Sequence, residues 1–128
     1  MKKKLFTGAA IAAAIIVGGI ANANAETAEE FYKGKTVKIV YGFGVGGTYG
    51  KYSQLIAQYL APYIGADTII AQSMPGAGGI KATNYVYNVA SKDGLTLFMP
   101  PDTVIISELL RPDSVKYKSG DFTWLGTA

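Results

Sequence analysis

Two glycine-rich segments contain the residues whose types and spacing could do chemistry. Segment 42–50 carries glycines in the spacing Gly-x-Gly-x-x-Gly, and segment 73–79 ends in Pro-Gly-Ala-Gly-Gly. Glycines let an anion approach the backbone closely, and a helix N-terminus adds unpaired N–H groups with partial positive charge. A glycine-rich segment between a strand and a helix can therefore bind a carboxylate or another oxyanion without an Arg or Lys side chain.

Strand and helix patterns flank both segments. Runs of β-branched and aromatic residues predict strands, and apolar residues at helical spacing predict helices. From the N-terminus onward the predicted elements are strand Thr36–Tyr41, helix Lys51–Tyr63, strand Thr68–Gln72, a helix from Ile80 to before Lys92, strand Leu95–Met99, helix Val104–Leu110 and strand Phe122–Gly126.

This alternation predicts an α/β fold with a mainly parallel sheet flanked by helices. Ligands of such sheets bind outside the carboxyl ends of the strands. Both glycine-rich segments fall at that edge, and so does Pro100-Pro101-Asp102 after the third strand. We expect Asp102 or Thr103 to cap the helix that follows.

The helix predicted over Lys51–Tyr63 has a tyrosine-rich apolar stripe. We expect this stripe to pack in the core or at an interface, and Gly65 to terminate the helix. The stripe consists of Tyr52, Leu55, Ile56, Tyr59, Leu60 and Tyr63.

Composition excludes several kinds of chemistry. The 128 residues include no His and no Cys. The chain therefore has no Ser-His-Asp or Cys-His nucleophile, no disulfide and no imidazole or thiolate metal ligand. We expect no cofactor, no metal and no enzymatic activity.

The first 25 residues have the pattern of a secretory signal peptide. Lys2, Lys3 and Lys4 precede an apolar run over Leu5–Ile20, and Ala23-Asn24-Ala25 matches a cleavage site. We expect cleavage after Ala25 and a periplasmic product. Without these three lysines, 9 basic and 9 acidic residues remain of the 12 and 9 in the whole chain. Nucleic acid is therefore not an expected partner.

A dinucleotide site is the first alternative for segment 42–50, because Gly42, Gly44 and Gly47 follow a strand and precede a helix. Such a site needs an acidic residue at the end of the second strand to bind the ribose. Asp67 precedes that strand, and its far end carries Gln72 and Ser73. No Gly-Lys-Ser/Thr sequence follows these glycines, so a Walker phosphate loop is not indicated either. The glycines could also serve only to make tight turns.

Several motifs resemble one family of transport receptors. The sequence is similar to the solute-binding receptors of tripartite tricarboxylate transporters, the Bug-type proteins, and the similarity covers essentially all of 26–128. The motifs that carry it are Glu30-Phe31-Tyr32-Lys33-Gly34-Lys35-Thr36-Val37, Gly44-Val45-Gly46-Gly47 with Tyr49, Met74-Pro75-Gly76-Ala77-Gly78-Gly79, Asn84-Tyr85-Val86-Tyr87-Asn88, Lys92-Asp93-Gly94 and Phe122-Thr123-Trp124-Leu125-Gly126.

The resemblance implies a periplasmic protein of two α/β lobes, of the type II binding-protein fold, that delivers a small organic acid to integral-membrane permease subunits. It implies that both glycine-rich segments hold a ligand carboxylate through backbone N–H groups, while the segment after the third strand faces the variable part of the ligand. The implied ligand-binding residues are Phe43, Gly44, Val45, Gly46, Gly47, Thr48, Tyr49, Ser73, Gly76, Ala77, Gly78, Gly79, Asp102 and Thr103.

The sequence departs from the family pattern in two residues and in length. Thr48 stands where the family has glycine, and Gly50 where it has Asp. We expect Thr48 to cap the following helix in place of that Asp. Residues 26–128 correspond to the N-terminal part of the first lobe, so we expect a fragment or truncated product without the second lobe, acting as a monomer. The alternatives are an exported nucleotide-binding or small enzyme domain and a truncated interaction module without a transport role.

Overall fold

The computed structural model describes residues 26–127. The signal-peptide prediction lies outside the described residues. The elements are α1 (Ala28–Tyr32), β1 (Thr36–Tyr41), α2 (Thr48–Ile64), β2 (Thr68–Ser73), a 3₁₀ turn (Ala77–Gly79), α3 (Ile80–Asn88), β3 (Thr96–Met99), α4 (Val104–Leu110) and a second 3₁₀ turn (Ser119–Asp121).

The three strands form one parallel sheet in the order β2-β1-β3. Tyr41, the last residue of β1, is in register with Ser73 of β2 and with Met99 of β3. All three strands therefore end at the same edge. The predicted α/β class, with a parallel sheet flanked by helices, is confirmed.

The central strand packs on both of its faces. Val37 and Ile39 of β1 are buried in a cluster with partly buried residues of α2, whereas Val40 is buried with Ala82 and Val86 of α3. Alternate side chains of a strand point to opposite faces. Consequently α2 and α3 cover the two sides of the sheet.

The predicted apolar stripe of α2 packs on the core only in part, because Ile56 and Leu60 lie against the core cluster whereas the tyrosines do not. Gly50 and Ser53 are the buried residues of α2, while Tyr59 is 66% and Tyr63 is 88% exposed. Small residues let the helix approach the sheet closely, so the face with Gly50 and Ser53 lies inward. The tyrosines of the predicted stripe lie toward solvent, although Gly65 terminates the helix in a left-handed conformation as predicted.

Two other local predictions are also wrong. Residues 122–126 form no strand; Phe122 packs against the rings of Tyr87 and Trp124, with centroids 5.8 and 6.2 Å away. Thr103 stands at the N-cap position of α4, but neither its side chain nor another one caps that helix. Within 26–127, no helix is long and apolar enough to cross a membrane.

Candidate functional site

The two glycine-rich segments and the segment after β3 meet at the carboxyl edge of the sheet. A Cβ atom placed on Gly42 would lie 2.6 Å from the Gly79 Cα, and one placed on Gly79 would lie 2.9 Å from the Pro101 Cγ. These three residues are buried. The backbones of Gly42 and Gly79 are thus in direct contact, and Pro101 packs against Gly79. Together these three residues form the base of the site.

Above this base, the tips of the three segments are open. Gly44, Gly46 and Gly78 have no atom within 4 Å of an added Cβ, so the space beside them is free. Ten of the predicted ligand-binding residues are exposed at these tips, namely Gly44, Val45, Gly46, Gly47, Thr48, Gly76, Ala77, Gly78, Asp102 and Thr103. The structure therefore brings the predicted residues to one edge and leaves most of them accessible.

Three side chains tie the segments together. The Ser73 hydroxyl donates to the Phe43 carbonyl at 2.7 Å, which joins the end of β2 to the first segment. The Tyr49 ring stacks on the Phe43 ring at 4.4 Å, and the Tyr49 hydroxyl accepts from the Asp102 N–H at 3.1 Å. All four residues belong to the predicted site, and they link all three strand ends.

The second glycine-rich segment enters α3 through three successive residues with positive φ, which are Ala77 at 50°, Gly78 at 64° and Gly79 at 92°. The buried Thr83 hydroxyl donates to the Gly79 carbonyl at 2.9 Å and holds this turn against the helix. Gly79 is the N-cap residue of α3, and no side chain caps that helix.

The first segment folds down onto the first turn of α2. Gly47, not Thr48, is the N-cap residue, and no side chain caps the helix, so the prediction that Thr48 is the cap is wrong. A Cβ atom on Gly50 would overlap the Val45 carbonyl group. Because Gly50 has no side chain, the first glycine-rich segment can lie directly against α2. The side chain of an Asp at this position would occupy the same space.

The electrostatics of the edge come mainly from the backbone. Neither 42–50 nor 73–80 contains a charged side chain. No side chain caps α2 or α3, and the dipole of each helix places partial positive charge at its start. At α3 the N–H groups of Gly79 and Lys81 already donate to the Gly76 carbonyl, and that of Ile80 donates to the Ala77 carbonyl. Among the described residues, no group of three or more His, Cys, Asp and Glu side chains could hold a metal ion.

Three residues at this edge were not predicted as part of the site. Gly42 makes the close backbone contact described above. The exposed Lys81 lays its side chain against Gly76, where an added Cβ would be 3.1 Å from the Lys81 Cδ. Tyr41 is fully buried, and its hydroxyl has no hydrogen-bond partner within 26–127. Two of these residues could have been found from the sequence by their positions. Tyr41 ends the predicted first strand, and Lys81 lies in the first turn of α3.

The dinucleotide alternative lacks its acidic residue at this edge. The Asp67 N–H donates to the Lys35 carbonyl at 3.1 Å, just before β1 and β2 begin. Asp67 is therefore at the opposite edge from the glycine-rich segments. At the carboxyl end of β2, the Ser73 hydroxyl is already bonded to Phe43.

A hollow of about 290 Å³ lies away from this edge, on the C-terminal half of α2. It is open and apolar, and it is lined by Ile56, Tyr59, Leu60 and Tyr63. It contains no polar group that would orient a ligand, so the glycine-rich edge is the stronger candidate site.

The Asn-Tyr-x-Tyr-Asn motif of α3 has a structural role away from the edge. Asn84 and Asn88 hydrogen-bond the backbone of 114–116, and the Tyr87 hydroxyl donates to Asp121 at 2.6 Å. The hydrogen bond to the Asp121 carboxylate raises the pKa of Tyr87, because ionisation would bring two negative charges together. The motif thus fastens the C-terminal segment onto the fold.

Comparison of the chain with models of protein families, with curated proteins and with solved structures gave no match.

Proposed function

We propose that this chain is the solute-binding component of a tripartite tricarboxylate-type transporter and binds a small organic carboxylate at the edge formed by its two glycine-rich segments. The observation that carries the proposal is the direct backbone contact between Gly42 and Gly79, which brings the two segments together. Each segment leads into a helix that no side chain caps. A carboxylate between them would accept hydrogen bonds at the start of α2 and face the partial positive charge at the start of α3.

The recognition mechanism needs no charged side chain. Peptide N–H groups at the starts of α2 and α3 are fixed by the fold, and each helix places partial positive charge at its first turn. A carboxylate has several acceptor positions, so it can accept more than one of the N–H groups at the start of α2 while it lies near the start of α3. Glycines at the open tips allow the approach, since they have no side chain to block it.

The transport role rests on the family resemblance of the motifs. In this proposal the precursor is exported, cleaved after Ala25 and passes its ligand to membrane permease subunits. Mass spectrometry of the periplasmic protein tests the export step, with a new N-terminus at Glu26 as the expected result. An intact Met1 on the periplasmic protein would contradict cleavage.

Isothermal titration of the purified chain with acetate, succinate, citrate and benzoate tests the binding step. Gly46→Val adds a side chain in open space at the first tip. It is expected to leave folding intact and to weaken acid binding at least tenfold. Gly120→Val, also in open space but in the turn after α4, is the matched control and should bind like the original chain.

Two results would count against the proposal. If no acid binds to the original chain, the carboxylate site is wrong. If Gly46→Val binds every acid as tightly as Gly120→Val does, the binding lies elsewhere on the molecule.

A further inference from the structure

The Phe43–Tyr49 pair presents aromatic surface at the candidate site. The two ring centroids are 4.4 Å apart with an interplanar angle of 18°, so the rings stack nearly parallel. Both residues are only half-buried. The pair therefore keeps part of its ring surface accessible where the first segment enters α2.

This pair is held in place by contacts at both ends. The Phe43 carbonyl accepts from the Ser73 hydroxyl, and the Tyr49 hydroxyl accepts from the Asp102 N–H. The rings are thus anchored to the ends of β2 and β3 without any ligand. A surface that is already ordered loses little conformational entropy when a ligand packs on it.

The three segments that meet at this edge contain no basic side chain. Neither glycine-rich segment has a charged side chain, and the one in 100–103 is the acidic Asp102, whose N–H is bonded to Tyr49. The basic residues closest along the chain are Lys51, in the second turn of α2, and Lys81, whose stem lies on Gly76. A second carboxylate placed beside the rings would therefore meet uncharged loops and an acid, whereas Lys81 lies on the α3 side of the edge, at Gly76.

We propose that the preferred ligand is a monocarboxylic acid with a planar aromatic body. Its carboxylate would lie at the starts of α2 and α3, and its ring would pack on the Phe43–Tyr49 pair. This inference rests on the proposed function, because it uses the same carboxylate site. Aromatic pairs stabilise each other beyond the area that they bury.

Calorimetric titration with four acids at pH 7 tests the inference on the purified chain. Benzoate and cyclohexanecarboxylate have one charge and similar size, but only benzoate is planar and aromatic. Benzoate is expected to bind roughly 2- to 10-fold more tightly than cyclohexanecarboxylate. It should also bind more tightly than succinate and acetate.

The outcomes separate the inference from the proposed function. If succinate or cyclohexanecarboxylate binds as tightly as benzoate, the aromatic preference is wrong and the carboxylate site stands. If none of the four acids binds, the proposed function fails and this inference fails with it.

Two variants locate the preference at the rings. Phe43→Leu keeps an apolar side chain but removes one ring, so it should reduce the affinity for benzoate to about that for cyclohexanecarboxylate. Tyr49→Phe keeps both rings but loses the hydrogen bond from the Asp102 N–H, so it should retain more of the preference than Phe43→Leu does. An undiminished preference in a folded Phe43→Leu variant would overturn the inference, and the ligand comparison on the original chain decides it if that variant does not fold.

Discussion

Asn84 and Lys116 are joined by a hydrogen bond from the Lys116 N–H to the Asn84 Oδ1 at 2.7 Å. The same amide donates through Nδ2 to the Ser114 carbonyl at 3.0 Å, and Asn88 donates to the Lys116 carbonyl at 2.8 Å. The side chains of α3 therefore bond the backbone groups of 114–116 that a neighbouring strand would otherwise bond.

Replacement of Asn84 should loosen this segment. Asn84→Ala removes two hydrogen bonds and is expected to lower the free energy of unfolding by about 1–3 kcal/mol, at 0.5–1.5 kcal/mol for each bond. Asn84→Asp keeps the acceptor for Lys116 but loses the donor to Ser114, so its loss should be smaller. Urea denaturation measures both effects. Equal stability of Asn84→Ala and the original chain would show that these bonds contribute nothing.

The contact between Gly42 and Gly79 predicts a position-specific penalty for added volume. Gly42→Ala would push a methyl group into the Gly79 backbone, and it should cost about 1–3 kcal/mol of stability. Gly44→Ala, two residues away in open space, is the matched control and should change stability by less than about 0.5 kcal/mol. Thermal and urea unfolding compare the two. Similar values for both variants would contradict the close approach.

The first turn of α2 should accept an acidic residue at one position and reject it at another. Thr48→Asp places a carboxylate on the exposed first residue of the helix, where the helix dipole stabilises it by about 0.3–1 kcal/mol. Gly50→Asp adds the same charge in the same turn, but its side chain meets the Val45 carbonyl group, so it should be destabilising. Denaturation midpoints that rise in Thr48→Asp and fall in Gly50→Asp would agree with this expectation; a rise in both would contradict the packing of Val45 on Gly50.

Thr48→Asp should also weaken acid binding, because its charge repels a carboxylate at the helix start. Titration with acetate measures this effect, and Lys51→Ala is the comparison that should change binding little. Unchanged acetate binding by Thr48→Asp would place the anion away from α2.

The hydrogen bond from Tyr87 to Asp121 makes stability depend on alkaline pH. The pKa of Tyr87 is raised in the fold, so the stabilisation from this bond is present below the ordinary tyrosine pKa and is lost as the pH rises through the raised value. Tyr87→Phe lacks the hydroxyl, and its stability should fall less steeply than that of the original chain above about pH 10. Urea midpoints at intervals from pH 8 to 11 provide the comparison, and parallel curves would contradict the assignment.

Local patterns in the sequence predicted most of the framework. The bounds of β1 and α4 agree with the structure, since β-branched runs and compact apolar repeats each fit one kind of element. The face that α2 packs on the sheet was predicted only in part. Ile56 and Leu60 do contact the core, but hydrophobicity also favours the tyrosines, while close packing favours Gly50 and Ser53. The small size of Gly50 and Ser53 determines which face of α2 packs most closely on the sheet. A count of apolar residues does not take side-chain size into account.

The site could be predicted only as a set of segments. The parallel arrangement brings strand ends to one edge, and this much follows from the order of strands and helices. The bonds that join the segments span 30 residues from Ser73 to Phe43 and 53 from Asp102 to Tyr49. No local pattern specifies such pairs, and the same is true of the contact that Gly50 makes with Val45.

The central strand of the sheet is the first strand in the chain. Thr36 pairs with Thr68, and Lys38 pairs with Thr96, so β1 is synthesised well before either neighbour. The nearer partner closes the shorter loop. The entropic cost of closing the loop is therefore smaller for the pairing of β1 with β2 than for its pairing with β3. A nascent chain that ends before Thr96 already contains both glycine-rich segments. It still lacks Asp102, whose N–H donates to the Tyr49 hydroxyl, so this edge of the sheet is completed last.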